Sequence, residues 1–228
     1  MLQLVIGNKN YSSWSMRAWV LMRHCGIAFN EIKLRFDFTP GSGFYRELAR
    51  YTPAGKVPVL IDDDGVAVWD TLAIIETLAE RYPQHAIWPR ERPARARARS
   101  LCAEFHAGFG ALRSHCPMTI EASLPEVGAR VLDEQDGVVR DLARIERMWS
   151  EALAASGGPY LFGPFCAADA FFAPVCARVR TYALPVSAPV RAYVDRVWAA
   201  PGVTAWVADA LAERDFLDFE EPYRKCPT

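Results

Sequence analysis

The chain has 228 residues, 51% hydrophobic and 23% charged, with a formal net charge of −1. That balance is typical of a globular protein of one or two domains, and it gives no general attraction to nucleic acid or to an anionic membrane. No apolar run reaches the roughly 18 residues that a membrane-spanning helix requires. The opening MLQLVIGNKN lacks the basic flank of a secretory signal, and the six cysteines (25, 102, 116, 166, 176 and 226) form no CxxC pair. Neither a disulfide framework nor a metal site is expected, and reduced thiols predict a cytoplasmic protein.

Residues 2 to 82 alternate between element types. LQLVI predicts a first strand, and the spacing of Ala18, Leu21 and Cys25 predicts a helix from Ser15 to Cys25, with Gly26 as its stop. AFNEIKLR predicts a second strand, and DFTPGSG then leads to a short helical FYRELARY. KVPVLIDDDGVAVWD predicts a hairpin turning at Asp63 to Gly65. Asp70 is positioned to cap a helix carrying Leu72, Ile75, Leu78 and Tyr82 on one side.

Residues 83–94, rich in proline and arginine, predict a linker. The alternating Arg-Ala run that follows suits a solvated helix face better than a nucleic-acid arm. From residue 95 to 228 every apolar pattern has helical spacing, which predicts an all-helical second domain. In FCAADAFFAPV, Asp169 sits three residues after Cys166, the arrangement of a capping box.

Two stretches carry candidate chemistry. NYSSWSMRAW places three serines where a strand passes into a helix. Ser15 is the expected helix cap, which leaves Ser12 and Ser13 unexplained by capping. In GKVPVL, Pro58 opens a hairpin strand, where it need not donate to the ladder.

Taken in order, YSSWSMR, GKVPVL, DTLAIIETLAERY and the helical second half resemble the cytosolic glutathione transferases over essentially the whole chain. The likeness is closest to the serine-type classes, zeta and tau, through Ser-x-x-x-x-Arg at Ser12 to Arg17. The resemblance implies an α/β thioredoxin-like N-terminal domain (1–82), an all-α C-terminal domain (95–228) lining an electrophile site, and a homodimer. It implies glutathione as co-substrate, activated for attack on a small hydrophobic electrophile. Ser12 is then the activating hydroxyl, with Ser13 as second choice. Lys56, Val57, Pro58 (in a cis peptide), Asp70 and Thr71 bind glutathione. For the second substrate, His106, Phe109 and Arg113 fall on one helical face, Trp14 stands beside the serines, and Arg178 and Arg180 suit an anionic substrate.

A glutathione thiol near pKa ~8.5 must be lowered by about two units, roughly 2.7 kcal/mol of preference for the thiolate. A donating hydroxyl and a helix N-terminus are the natural sources. Two alternatives remain: a glutathione-dependent isomerase of the maleylacetoacetate type, and a non-catalytic interaction module of the same fold. Trp14 stands where the zeta class usually has a cysteine.

Overall fold

The computed structural model describes residues 1–226. Its sheet has the order β2-β1-β3-β4, built from β1 (Gln3–Ile6), β2 (Asn30–Lys33), β3 (Val59–Ile61) and β4 (Ala67–Trp69). β1 and β2 are parallel, with Val5 opposite Ile32, so a crossover must join them. That crossover is α1 (Ser13–His24). β3 runs antiparallel to β1 with Val5 opposite Val59, and the β3–β4 hairpin sets Val59 opposite Trp69. In the turn, Asp62 Oδ1 accepts the amides of Asp64 and Val66, and Gly65 takes a φ of 81°.

Strand alternation divides the apolar residues between two cores. Leu4, Ile6 and Leu60 join α1 and α3 (Thr71–Arg81) in the main core. Val5 and Val59 face the other way and pack with Tyr11, Phe36, Phe44 and Leu48, the last two on α2 (Gly43–Leu48). Leu217, from the far end of the chain, completes this smaller core.

The helical part comprises α4 (Arg92–Ala107), α5 (Gly110–His115), α6 (Pro125–Glu134), α7 (Asp136–Ser156), α8 (Ala167–Thr181), α9 (Ala188–Trp198) and α10 (Pro201–Glu213). A 3-10 turn follows at Asp218–Glu220. α4 begins inside the stretch expected to be linker, because Pro93 is well placed in a first helical turn. Its Arg-Ala run is a solvated face: Arg99 pairs with Glu76 at 2.7 Å and Arg97 with Glu151 at 2.8 Å. α8 is apolar nearly all round and is buried along almost its whole length, packed against α1, α4 and α9. α10 lies on α1, where a Cβ at Gly202 would stand 2.8 Å from the Val20 carbonyl oxygen. No helix among the described residues is long and apolar enough to cross a membrane.

Asp169 holds the start of α8. Its carboxylate accepts the Cys166 amide at 2.9 Å, the Leu161 amide at 3.2 Å and the Tyr193 hydroxyl at 3.1 Å. Burial pushes its pKa up to about 6. Replacing Asp169 with alanine strands three buried donors, at roughly 1–3 kcal/mol each if none finds a substitute. Asp169→Ala is therefore expected to lower unfolding free energy by about 3 kcal/mol or more, measured by urea denaturation.

Candidate functional site

The junction between β1 and α1 is shaped first by sterics. A Cβ at Gly7 would stand 2.1 Å from the Phe36 ring, so only glycine lets the strand end beneath that ring. The chain then turns: the Asn8 carbonyl accepts the amides of Tyr11 at 3.2 Å and Ser12 at 2.8 Å. This turn sets Ser12 at the helix boundary, and the Ser12 carbonyl accepts the Met16 amide at 3.0 Å. Ser15 is therefore not the cap that its residue type suggested. It lies inside α1, where its hydroxyl oxygen accepts the Gly7 amide at 3.3 Å and stands 2.7 Å from the Ser12 hydroxyl oxygen. The Ser12 side chain makes no capping bond, which leaves first-turn amides of α1 without a side-chain partner.

Two adjoining cavities, about 420 and 300 Å³, share Trp14, Lys56, Val57 and Arg113 and so form one cleft. Ser12 and Ser13 line the larger, together with Phe36, Phe38 and Phe44. Pro58, Asp70, Thr71 and His106 line the smaller. Val57–Pro58 is cis, and no backbone bond to Val57 occurs among the described residues.

Asp70 caps α3 through Oδ1 to the Leu72 amide at 2.9 Å, while its Oδ2 lies 3.2 Å from His106 Nε2. Its φ of 77° is strained for a residue with a side chain, and such strain concentrates at functional sites. Thr71 donates a long bond, 3.4 Å, to the Trp14 carbonyl. Buried His106 Nδ1 has no partner, and the His106 ring meets Trp14 edge-on at 5.0 Å.

The expected helical face of His106, Phe109 and Arg113 does not exist as one face. α4 ends at Ala107, and Phe109 takes a left-handed conformation with φ of 58° before α5 starts. Gly108 forms that break, and a Cβ there would sit 3.0 Å from the Glu104 carbonyl oxygen. His106 and Arg113 reach the cleft, whereas Phe109 stacks on Phe105 in the core. Arg180 also misses it: helical spacing turns its side chain to the surface, where it pairs with Asp195 at 2.8 Å.

Arg178, two residues earlier, lines the larger cavity and is 3% exposed. Main-chain carbonyls hold it, Cys116 at 2.8 Å and Pro174 at 3.1 Å. Burial lowers its pKa to about 10, which keeps it charged at neutral pH. Arg113 is likewise held by a carbonyl, that of His106 at 3.2 Å. Arg17 lies beneath Trp14 with its guanidinium 3.8 Å from the ring, and both its terminal nitrogens are unpaired. Among the described residues no carboxylate pairs with any of these three arginines.

The segment after α10 closes the larger cavity, and nothing in its polar sequence announced this. The Tyr11 hydroxyl accepts the Leu217 amide at 3.2 Å and donates to Glu221 at 2.9 Å. Burial raises the Tyr11 pKa above its ordinary value. A tyrosine beside the serines is thus already committed, and the hydroxyls left to face the cleft are those of Ser12 and Ser13. Glu220 lines the same cavity.

Residues 11–81 match the family model described as the glutathione S-transferase N-terminal domain. A zeta-class glutathione S-transferase from Euphorbia esula is 36% identical over 70 residues, 28% of this chain and 31% of the relative, so the likeness spans about a third of that protein. A glutathione transferase homolog from Burkholderia, solved with bound glutathione, is 25% identical, with 92% of this chain and 98% of that chain covered at a TM-score of 0.66. The tau-class enzyme of mango, Mangifera indica, is 21% identical with 93% and 96% coverage at a TM-score of 0.67. The fold is that of the glutathione transferases: a thioredoxin-like domain followed by an all-helical one.

Tyr11→Phe should expose how firmly the C-terminal segment is held. It leaves the buried Leu217 amide unpaired and Glu221 short of a donor, a loss of roughly 1–3 kcal/mol. Faster amide hydrogen exchange across residues 214–224 is the expected readout, with the rest of the chain unchanged.

Proposed function

We propose that the protein is a glutathione transferase of the serine type, acting on an electrophile that carries an anionic group. Residues 1–82 form the glutathione-binding part, 83–94 connect it, and 95–228 supply the electrophile wall. Glutathione lies along the cleft with its cysteinyl main chain against Val57, its ammonium at Asp70 and its γ-glutamyl carboxylate at Thr71 and the first amides of α3. Lys56, exposed at the cleft and without an ion pair among the described residues, takes the glycyl carboxylate. A family-model match over residues 11–81 and a structural relative holding glutathione support this reading.

The observation that carries the chemistry is the hydroxyl chain Ser15–Ser12 at the cleft wall. Here the Ser12 hydroxyl donates to Ser15 Oγ, 2.7 Å away, while Ser15 also accepts the Gly7 amide. When glutathione binds, the Ser12 hydroxyl turns its proton to the sulfur and Ser15 donates to Ser12 in its place. A hydroxyl bond to the thiolate is stronger than one to the thiol, so it lowers the thiol pKa, and the positive end of α1 acts in the same direction. Ser13 is the second hydroxyl within the cavity.

Arg178 and Arg113 decide the electrophile's chemistry. A buried guanidinium without a carboxylate is costly, and an incoming anion relieves that cost. Phe38, Pro117 and Met118 offer an apolar wall for the rest of the molecule. The same two arginines favour a second reading, glutathione-dependent isomerisation of an unsaturated dicarboxylic acid. The product separates the two, since a transferase yields a thioether and an isomerase returns free glutathione.

Ser12→Ala is expected to raise the pKa of bound glutathione by about one to two units and to slow turnover at neutral pH ten- to a hundredfold. Affinity for glutathione should stay nearly constant. Thiolate absorbance of the complex against pH is the measurement, and a curve moved by Ser13→Ala instead exchanges the two serines. Arg178→Leu should cut kcat/KM for a carboxylate-bearing electrophile about tenfold or more while sparing a neutral analogue. Equal losses on both substrates would remove the anion from the proposal.

A further inference from the structure

Making a thiolate at Ser12 raises a question the serines do not answer, namely where the thiol proton goes. Hydroxyls stabilise the anion by donating and are too weakly basic to keep a second proton. The other ionisable side chains on the larger cavity are Tyr11, Lys56, Arg113, Arg178 and Glu220. Lysine and arginine are already protonated at neutral pH. Tyr11 is protonated too, with its hydroxyl bonded to Leu217 and Glu221. His106 lies in the smaller cavity, against Asp70. Among the described residues lining the larger cavity, only Glu220 offers a carboxylate.

Glu220 is placed with some care. It ends the 3-10 turn Asp218–Glu220, and its neighbours on both sides are tied down. Leu217 is buried with its amide on Tyr11, and Phe219 meets Phe38 edge-on at 5.3 Å. Glu221 is 5% exposed and takes the Tyr11 hydroxyl and Arg224, whose Nε stands 2.9 Å from it. Arg224 also reaches Glu121 at 2.6 Å, and the Tyr223 hydroxyl donates to the His115 carbonyl at 2.9 Å. Every polar anchor of this strap belongs to a residue other than Glu220. The Glu220 carboxyl has no hydrogen bond or ion pair among the described residues, and Glu220 lines the larger cavity.

We propose that Glu220 accepts the glutathione thiol proton and later returns it to the departing group. The inference rests on reading the cleft as a glutathione site. In the first step the S–H bond breaks and the carboxylate becomes a carboxylic acid, leaving the thiolate on Ser12. The sulfur pair then attacks the electrophilic carbon, the C–S bond forms, and the leaving group departs with the bonding pair. That group takes the proton from Glu220, so product and protonated leaving group exit and the carboxylate is restored. The neutral acid also removes a negative charge from the cavity just as an anionic electrophile enters. Burial and the neighbouring Glu221 push the Glu220 pKa up to about 7, which suits a group that must both take and give a proton. The further charged groups of the strap are Arg214, Asp215, Asp218, Arg224 and Lys225.

The test is a proton count on the intact protein, made without any electrophile. Glutathione is added at pH 7.5 in weak buffer containing a pH indicator, and thiolate is read by its ultraviolet absorbance. Wild type is expected to release fewer protons than thiolates formed. Glu220→Gln should form thiolate yet release more protons than wild type, by up to one per thiolate. At pH 6, below the Glu220 pKa, the carboxyl is already protonated and the two proteins should release alike. Asp218→Asn, on the same turn, should match wild type throughout, and a circular dichroism melt confirms that each variant is folded. Identical proton release by wild type and Glu220→Gln at pH 7.5 would overturn the proposal while leaving the glutathione reading intact. Absence of thiolate in wild type would overturn both.

Discussion

The fold converges on the residues from Asn8 to Tyr11, which anchor distant segments through their side chains and main chain. Asn8 accepts the Phe36 amide at 2.8 Å and donates to Asp215 at 2.9 Å. Lys9, buried between Trp19 and Trp206, pairs with Glu31 at 2.7 Å and Asp209 at 2.5 Å. The main chain of Lys9 adds Glu213 and the Trp206 indole. Asn10 accepts the amides of Ile120 and Glu121, and Tyr11 secures the C-terminal strap. Five segments therefore meet where the serines are presented. Side chains locked by such neighbours lose little further freedom on binding, which is what a preorganised site requires.

Electrostatics distinguishes the two halves of the cleft. On the smaller side, Asp70 supplies negative charge and pairs with His106. On the larger side, Arg178 supplies positive charge held by main-chain carbonyls, not by a carboxylate, and Arg113, held the same way, borders both sides. Carbonyl dipoles can hold a guanidinium in place without cancelling its charge, so the positive potential stays available to the cavity. Arg17 extends this logic inward: sandwiched by Trp14 and Phe171 at 3.8 and 4.2 Å, it is held largely by aromatic faces. Its bond to the Phe171 carbonyl, 3.0 Å, ties α1 to α8 directly beneath the cleft.

Strain gathers at the same place. Asp70 and Phe109 both adopt positive φ, each at the start of a helix that borders the cleft. The two kinks aim Asp70, His106 and Arg113 inward from separate elements.

Local information determined much of this protein. Strand alternation, helical spacing, the Asp-Gly turn and the Asp70 cap act between residues close in sequence, so the order of elements could be read directly. The serine pair, Lys56, Val57–Pro58 and Asp70–Thr71 were legible for the same reason, as short motifs at element boundaries. Other features depended on contacts far apart in the chain. Ser15 lost its role as cap because a turn pinned at Asn8 moved the helix start, and Phe109 left the cleft because the backbone broke at Gly108. Arg178, not Arg180, reached the cavity because the packing of α8 decides which side of that helix faces it. The Glu220 carboxyl became part of the site through a strap about two hundred residues from Tyr11 in sequence. Local periodicity says which residues share a face, while only the meeting of distant segments says what that face looks upon.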